Sequence, residues 1–184
     1  MLDRIKTSVF IATSLDGCIA RADDGLDWLD RANAAVPAGE DCGFGAFLAT
    51  VDVLIMGRAS YDKVLSFGPE AWPYGERRVI VLTRRPLPEG GPRVEASREE
   101  PAELLARLQA EGLRHAYVDG GLTVQRFLAA DRVDALTLTL IPVLLGAGKR
   151  LFGELPADRW LHAGPVKTWP FGFVQLYYER LLAA

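Results

Sequence analysis

Short, almost uninterrupted apolar runs recur along the chain, each closed by a glycine, an aspartate or a threonine. Val9-Phe10-Ile11-Ala12, Asp52-Val53-Leu54-Ile55-Met56, Val79-Ile80-Val81-Leu82 and Ala116-Tyr117-Val118 are four of them. Strands covered on both faces lose the apolar–polar alternation, so each run predicts a buried parallel strand. Between the runs the period becomes helical. Tyr61, Val64 and Leu65 share one face, as do Leu104, Leu105 and Leu108, and later Val124, Phe127 and Leu128. Ser97-Arg98-Glu99-Glu100 fits a capping box, with Pro101 as an alternative first helical position, and Gly112 ends that helix. Residues 21–45 are rich in turn formers, and only 27–35 predict a short helix. A segment of this length inside a compact domain is functional or disordered.

After Asp131 the pattern changes again. Residues 136–143 predict a long strand rich in leucine and threonine, and residues 173–181 alternate as a late, antiparallel one. The order β-α-β-β-α-β-α-β-β implies an α/β fold of three layers, with helices on both faces of a mostly parallel sheet and an antiparallel addition at the C-terminal end. No repeat, low-complexity tract or linker interrupts it, so residues 1–184 are expected to form a single domain.

Composition removes several classes of function. A net charge of -3 without a basic stripe excludes a nucleic-acid binder. Cys18 and Cys42 form no C-x-x-C and have no histidine beside them, so neither a metal site nor a disulfide framework is expected. The opening Met1-Leu2-Asp3-Arg4-Ile5-Lys6 does not read as a signal peptide. The longest mostly apolar stretch, 135–147, is too short for a bilayer and is broken by two threonines and a proline. The expected setting is cytoplasmic, and the expected partner is a small molecule.

Three junctions carry candidate chemistry, all at carboxyl ends of strands, where open α/β sheets bind ligands. Gly57-Arg58-Ala59-Ser60 offers a glycine, a cation, a hydroxyl and a helix start, which suits a phosphate. Taken alone it is equally a helix that begins with Gly-Arg. Thr83-Arg84-Arg85 can pair with a phosphate monoester or be a solvated basic turn. Asp119-Gly120-Gly121-Leu122-Thr123 leaves room for a pyrophosphate at a helix start or is a tight turn; it is neither G-x-G-x-x-G nor a Walker loop.

Together the three are specific. Gly57-Arg58-Ala59-Ser60-Tyr61 resembles the Gly-Arg-x-Thr-Tyr/Trp motif of dihydrofolate reductases. Thr83-Arg84 resembles their turn that reads the 2′-phosphate, and Gly120-Gly121 their Gly-Gly turn. Ser14-Leu15-Asp16-Gly17 with Ile19-Ala20 is similar to a signature of the reductase domain of riboflavin biosynthesis. So is Ile141-Pro142-Val143-Leu144-Leu145-Gly146 with Leu151-Phe152. The resemblance spans residues 9–181 and implies a dihydrofolate-reductase-like fold and NADPH as cofactor.

It also implies roles. Ala12 would meet the nicotinamide through its backbone. Gly57, Arg58 and Ser60 would hold phosphates, Thr83 and Arg84 the 2′-phosphate, and Gly120, Gly121, Leu122 and Thr123 the pyrophosphate. Trp28 would border both ligands, and Asp119 would face the substrate. Two departures stand out: Leu122 replaces a usual proline, and an arginine-rich helix that holds a ribose phosphate is reduced to Leu29-Asp30-Arg31-Ala32.

The reading that follows is an NADPH-dependent reductase of a pteridine- or ribosylaminopyrimidine-like substrate, with Asp119, Asp27 or water as proton source and residues 21–45 as a lid. A non-catalytic NADPH-binding protein and a true dihydrofolate reductase are the alternatives. His115 is expected to flank a strand, His162 to lie in the last hairpin, and Trp72-Pro73-Tyr74 and Trp169-Pro170-Phe171 to cover core edges. Residues 135–143 are apolar on both faces, which predicts a homodimer through the late strands.

Overall fold

A computed structural model of the chain describes residues 4–88 and 93–181. β1 (Lys6–Ser14) turns into a short β2 (Cys18–Ala20), and two small helices follow, α1 (Asp27–Asn33) and α2 (Phe44–Leu48). The chain then alternates through β3 (Val53–Gly57), α3 (Arg58–Ser66), β4 (Arg78–Leu82), β5 (Val94–Ser97), α4 (Pro101–Ala110), β6 (His115–Asp119) and α5 (Gly121–Ala129). β7 (Ala135–Ile141), β8 (Lys149–Arg150), β9 (Leu161–Thr168) and β10 (Val174–Arg180) follow in strand-only order. Eight strands form one sheet in the order β5-β4-β3-β6-β1-β7-β10-β9, and β2 pairs with β8 in a separate ribbon. From β5 to β7 every pairing is parallel; β10 runs antiparallel to β7, and β9 antiparallel to β10.

Strand alternation sorts the core onto two faces. Val53, Ile55, Ile80 and Leu82 pack with Leu104, Leu105 and Leu108 of α4 and Val124, Phe127 and Leu128 of α5. Leu54, Met56, Val79 and Val81 pack on the other face with Leu48 of α2 and with Tyr61, Val64 and Leu65 of α3. The three expected helical stripes are therefore all buried against the sheet. Burying a side chain as large as Phe127 contributes about 1.5–3 kcal/mol. A third cluster of Trp28, Ile141, Trp169 and Phe173 sits beside the antiparallel strands.

Four features depart from the sequence reading. The helix after β5 is capped by Glu100, with Pro101 first in the helix and Glu103 closing the box; Ser97 belongs to β5. A residue before proline is driven to extended backbone, so the helix cannot begin earlier. β9 carries Gly164 and Pro165, which masked it in the sequence; proline is tolerated because β9 is an edge strand. α2 has five residues, too few to show a period. Finally, β7 ends at Ile141 inside the sheet, between β1 and β10, with Ala135, Leu136, Leu138 and Ile141 buried. The apolar surface that suggested a partner on this strand is covered by the chain itself.

Candidate active site

The three junctions open side by side. In the parallel ladder Gly57 is opposite Leu82, and Met56 is opposite Asp119. The ends of β3, β4 and β6 thus form one row, followed by α3 and α5 and the turn after β4.

Gly57 and Gly120 are packed against each other's helices. Gly120 has φ +88, and a Cβ there would collide with Ser60 Oγ. A Cβ on Gly57 would stand 2.9 Å from Thr123 Oγ1. Bare backbone is therefore required at both turns, and each turn faces a hydroxyl from the other helix. The first turns of two nine-residue helices open here, with uncapped N–H groups and their positive dipole ends. This cradle suits a diphosphate. Gly121 lies under the β2–β8 ribbon, where a Cβ would meet Arg150 O at 3.0 Å. Thr123 is buried, whereas Leu122 is 78% exposed at the open end of α5.

The arginines differ. Arg58 Nε donates to Asp62 Oδ1 at 2.7 Å and Nη1 to the Pro86 carbonyl at 2.7 Å. It braces the turn after β4. In that turn Thr83 Oγ1 accepts the Arg85 amide at 3.0 Å, and the Arg84 carbonyl accepts Arg98 Nη2 at 3.2 Å. Arg84 and Arg85 are exposed, and neither guanidinium has a hydrogen bond or ion pair among the described residues. Arg98, one residue beyond β5, was not singled out in the sequence; its proximity to Arg84 depends on the β4–β5 pairing.

Next to the row, the sheet splits. β1 and β6 pair from Lys6↔His115 to Ser8↔Tyr117, while β1 continues against β7 as far as Ser14↔Ile141. Beyond Ser8, the side of β1 toward β6 has left the ladder. Tyr117 Oη donates to the Phe10 carbonyl at 2.8 Å in place of a ladder bond. Ala12 lies two residues further on and packs on the cluster of Trp28, Ile141 and Phe173. Trp28 is 4% exposed, and its Nε1 is buried without a partner. A buried donor left unmade is costly, so this one fits a ligand acceptor. Cradle, split strand and orphaned indole together match what a dinucleotide with a nicotinamide end needs.

The two expected acids separate. Asp119 ends β6 at this split, and burial pushes its carboxyl up, opposed by the Gly120 amide and the Tyr117 hydroxyl. Asp27 is exposed and pairs with Arg21 through bonds of 2.6 and 2.8 Å, chiefly a hydrogen bond that holds its carboxyl below the usual range. It is therefore kept ionised, the wrong state for a proton donor.

Asp16 is a structural acid. Its Oδ1 accepts Ser14 Oγ at 2.6 Å and the Leu145 amide at 3.1 Å, and its Oδ2 accepts the Gly146 amide at 2.7 Å. The two signature stretches 14–17 and 141–146 thus clasp each other. The 21–45 segment is docked rather than free. Trp169 Nε1 donates to Glu40 Oε2 at 3.0 Å, and Gln175 Nε2 to the Cys42 carbonyl at 3.0 Å. His115 bonds Ser8 and Thr50, and His162 lies in the β9–β10 hairpin. Trp72 packs edge-on against Tyr61 and Tyr74 at a core edge.

The architecture is a dihydrofolate-reductase-like α/β fold. The chain belongs to the family described as the RibD C-terminal domain, whose model matches residues 6–173. It is 37% identical over 178 residues to the uncharacterized protein YwjB of Bacillus subtilis (strain 168), covering 95% of this chain and 98% of that one. A putative riboflavin biosynthesis protein from Shewanella sp. PV-4 superposes with a TM-score of 0.87 at 37% identity, over 97% of this chain and 100% of that one. The diaminohydroxyphosphoribosylaminopyrimidine deaminase/5-amino-6-(5-phosphoribosylamino)uracil reductase of Thermotoga maritima has a TM-score of 0.71 at 15% identity. That match covers 97% of this chain and 57% of the longer one and shows the common fold. Among the described residues no helix is long and apolar enough to cross a membrane.

Proposed function

We propose that the chain is an NADPH-dependent reductase of a small, flat heterocycle of the pteridine or aminopyrimidine kind. The observation that carries this reading is the position of Asp119. A half-buried carboxyl, its proton affinity raised by burial, stands at the head of the glycine cradle and beside the split of the sheet, next to where a dinucleotide would end. When bound, NADPH would supply the hydride. Gly57, Ser60, Gly120 and Thr123 would hold its diphosphate, Thr83 and Arg84 its 2′-phosphate, and the Ala12 backbone its nicotinamide.

The chain's own contribution is a proton and a dry site. Burial raises the proton affinity of Asp119 toward the working range of a general acid. Trp28, Trp169 and Phe173, one buried cluster against which Ala12 packs, would exclude water at the nicotinamide end. Arg31 is the one cation on α1, and Arg21, which precedes the helix, is bound to Asp27. This favours a substrate without a phosphoribosyl tail.

The test follows NADPH oxidation with pterins, aminopyrimidines with and without ribosyl phosphate, and quinoid compounds. Turnover of one class, with kcat/KM lowered at least tenfold in Asp119→Asn and the NADPH Kd changed by no more than a few-fold, is the expected result. NADPH binding with no oxidation in any case would establish a binding protein instead.

A further inference from the structure

Tyr117 sits two residues before Asp119 on the same face of β6, where the β1–β6 ladder ends. Its hydroxyl makes two contacts, donating to the Phe10 carbonyl at 2.8 Å and reaching Asp119 Oδ1 at 3.3 Å. Its ring is held edge-on by Phe47 at 5.1 Å and by Phe44 at 6.3 Å, both on α2. A buried phenol fixed on three sides has little freedom to move, so the oxygen it touches is fixed as well.

Resting on the reading of Asp119 as proton donor, we propose that Tyr117 is its positioning residue: the one O–H serves the Phe10 carbonyl while the acid is neutral and turns to Asp119 Oδ1 when the proton leaves. A tyrosine hydroxyl has one proton and so satisfies one of the two acceptors at a time, and a carboxylate draws it more strongly than a neutral carbonyl. The proton leaves the carboxyl, and the negative charge that remains meets the Tyr117 O–H, turned from Phe10, and the Gly120 N–H. Water returns the proton between turnovers.

The groups that face Asp119 are few. Tyr117 lies on its own strand, Tyr74 comes from the chain before β4, and the Gly120 amide opens α5. His115, further back on the same face, is engaged with Ser8 and Thr50. Among the described residues no cation acts on the carboxyl. Tyr117 is therefore the one side chain that favours the ionised form.

The experiment follows the Asp119 carboxyl by carbon NMR on labelled protein without cofactor or substrate, the resonance being identified by its loss in Asp119→Asn. In Tyr117→Phe the midpoint is expected to rise by about one pH unit, a tenfold change in proton affinity. An unchanged midpoint in a folded Tyr117→Phe protein overturns the proposal, because a merely structural tyrosine would lower Tm alone. If that variant fails to fold, a ring-fluorinated tyrosine at 117 keeps the shape and donates more strongly. The midpoint must then fall, and no fall overturns the proposal too. Neither readout needs turnover, so a shifted midpoint without NADPH oxidation would overturn the reductase reading and leave Tyr117 its role over the carboxyl.

Discussion

At the mouth of β4 two neighbouring arginines stand on different backbones. Arg84 is exposed with an uncommitted guanidinium, and Arg98 reaches its carbonyl from the next strand. The amide of Arg85 is tied to Thr83 Oγ1, and the residue precedes Pro86, which drives it to extended backbone. A charge-assisted bond contributes about 1.5–3 kcal/mol. Arg84→Ala is therefore expected to weaken NADPH by roughly ten- to a hundredfold and NADH hardly at all, with Arg85→Ala doing less. Titration of both cofactors against both variants checks this, and equal losses for the two cofactors would reduce the arginines to a solvated turn. Asp16 gives a residue-level prediction of stability. The Ser14 hydroxyl, then the Leu145 and Gly146 amides, hold its carboxyl at about 2, below its ordinary 3.8. A folded value below the unfolded one stabilises fully above 3.8 and is lost as the pH falls through about 2. Asp16→Asn should lower Tm at neutral pH, and that difference should shrink on acidification through this window. A difference that stays constant with pH would contradict the clasp.

The elements that were legible in the sequence are those whose period survives burial. β3 and β4 carry apolar residues on both faces, and α4 and α5 show full stripes. β5, β9 and α2 were not legible, because four or five residues, or a Gly-Pro pair on an edge, leave no period to read. The candidate site divides in the same way. Glycine turns announce themselves locally, so Gly57 and Gly120 could be named as candidates from the sequence. Tyr117 was read only as part of a strand, although its two-residue offset from Asp119 already placed both on one face. Asp27 was indistinguishable from Asp119 until the fold gave it Arg21. The contact between the two glycine turns appears only in three dimensions, and it leads to a prediction about them as a pair. Gly120→Ala introduces both a left-handed alanine and a collision with Ser60 Oγ. It is expected to cost about 1–3 kcal/mol of stability from the backbone alone, with a further loss from the collision. Adding Ser60→Ala should recover the second part and leave the first. Thermal unfolding of the two single variants and the double variant separates them; simple additivity would mean the turns are independent.

For the whole molecule, the sheet has one end that is finished and one that is not. At the β5 end, Arg78 and Arg107 lace Glu95, Glu99 and Glu111 across β4, β5 and α4. At the β9 end, Pro165 interrupts the edge, which discourages a neighbouring chain from adding a strand. The face beside that edge is different. Trp160 is 76% exposed and Leu181 50%, and both line a hollow of about 340 Å³ with Leu128, Val133 and Leu161, rimmed by Asp131, Arg159 and Arg180. An exposed tryptophan beside an apolar hollow with charges at its border is the pattern of an association surface. The buried strand β7 gives no reason for a dimer, but this face does. A homodimer is therefore expected at micromolar concentration, formed face to face around Trp160 and not by extension of the sheet. A stable interface of this kind buries about 1,200–2,000 Å² in total, and aromatic anchors carry much of its strength. Trp160→Ser should shift sedimentation from dimer to monomer while leaving NADPH affinity unchanged, because Trp160 lines this hollow and not the glycine cradle. A wild-type protein that sediments only as a monomer at that concentration would show that the exposed tryptophan serves some purpose other than self-association.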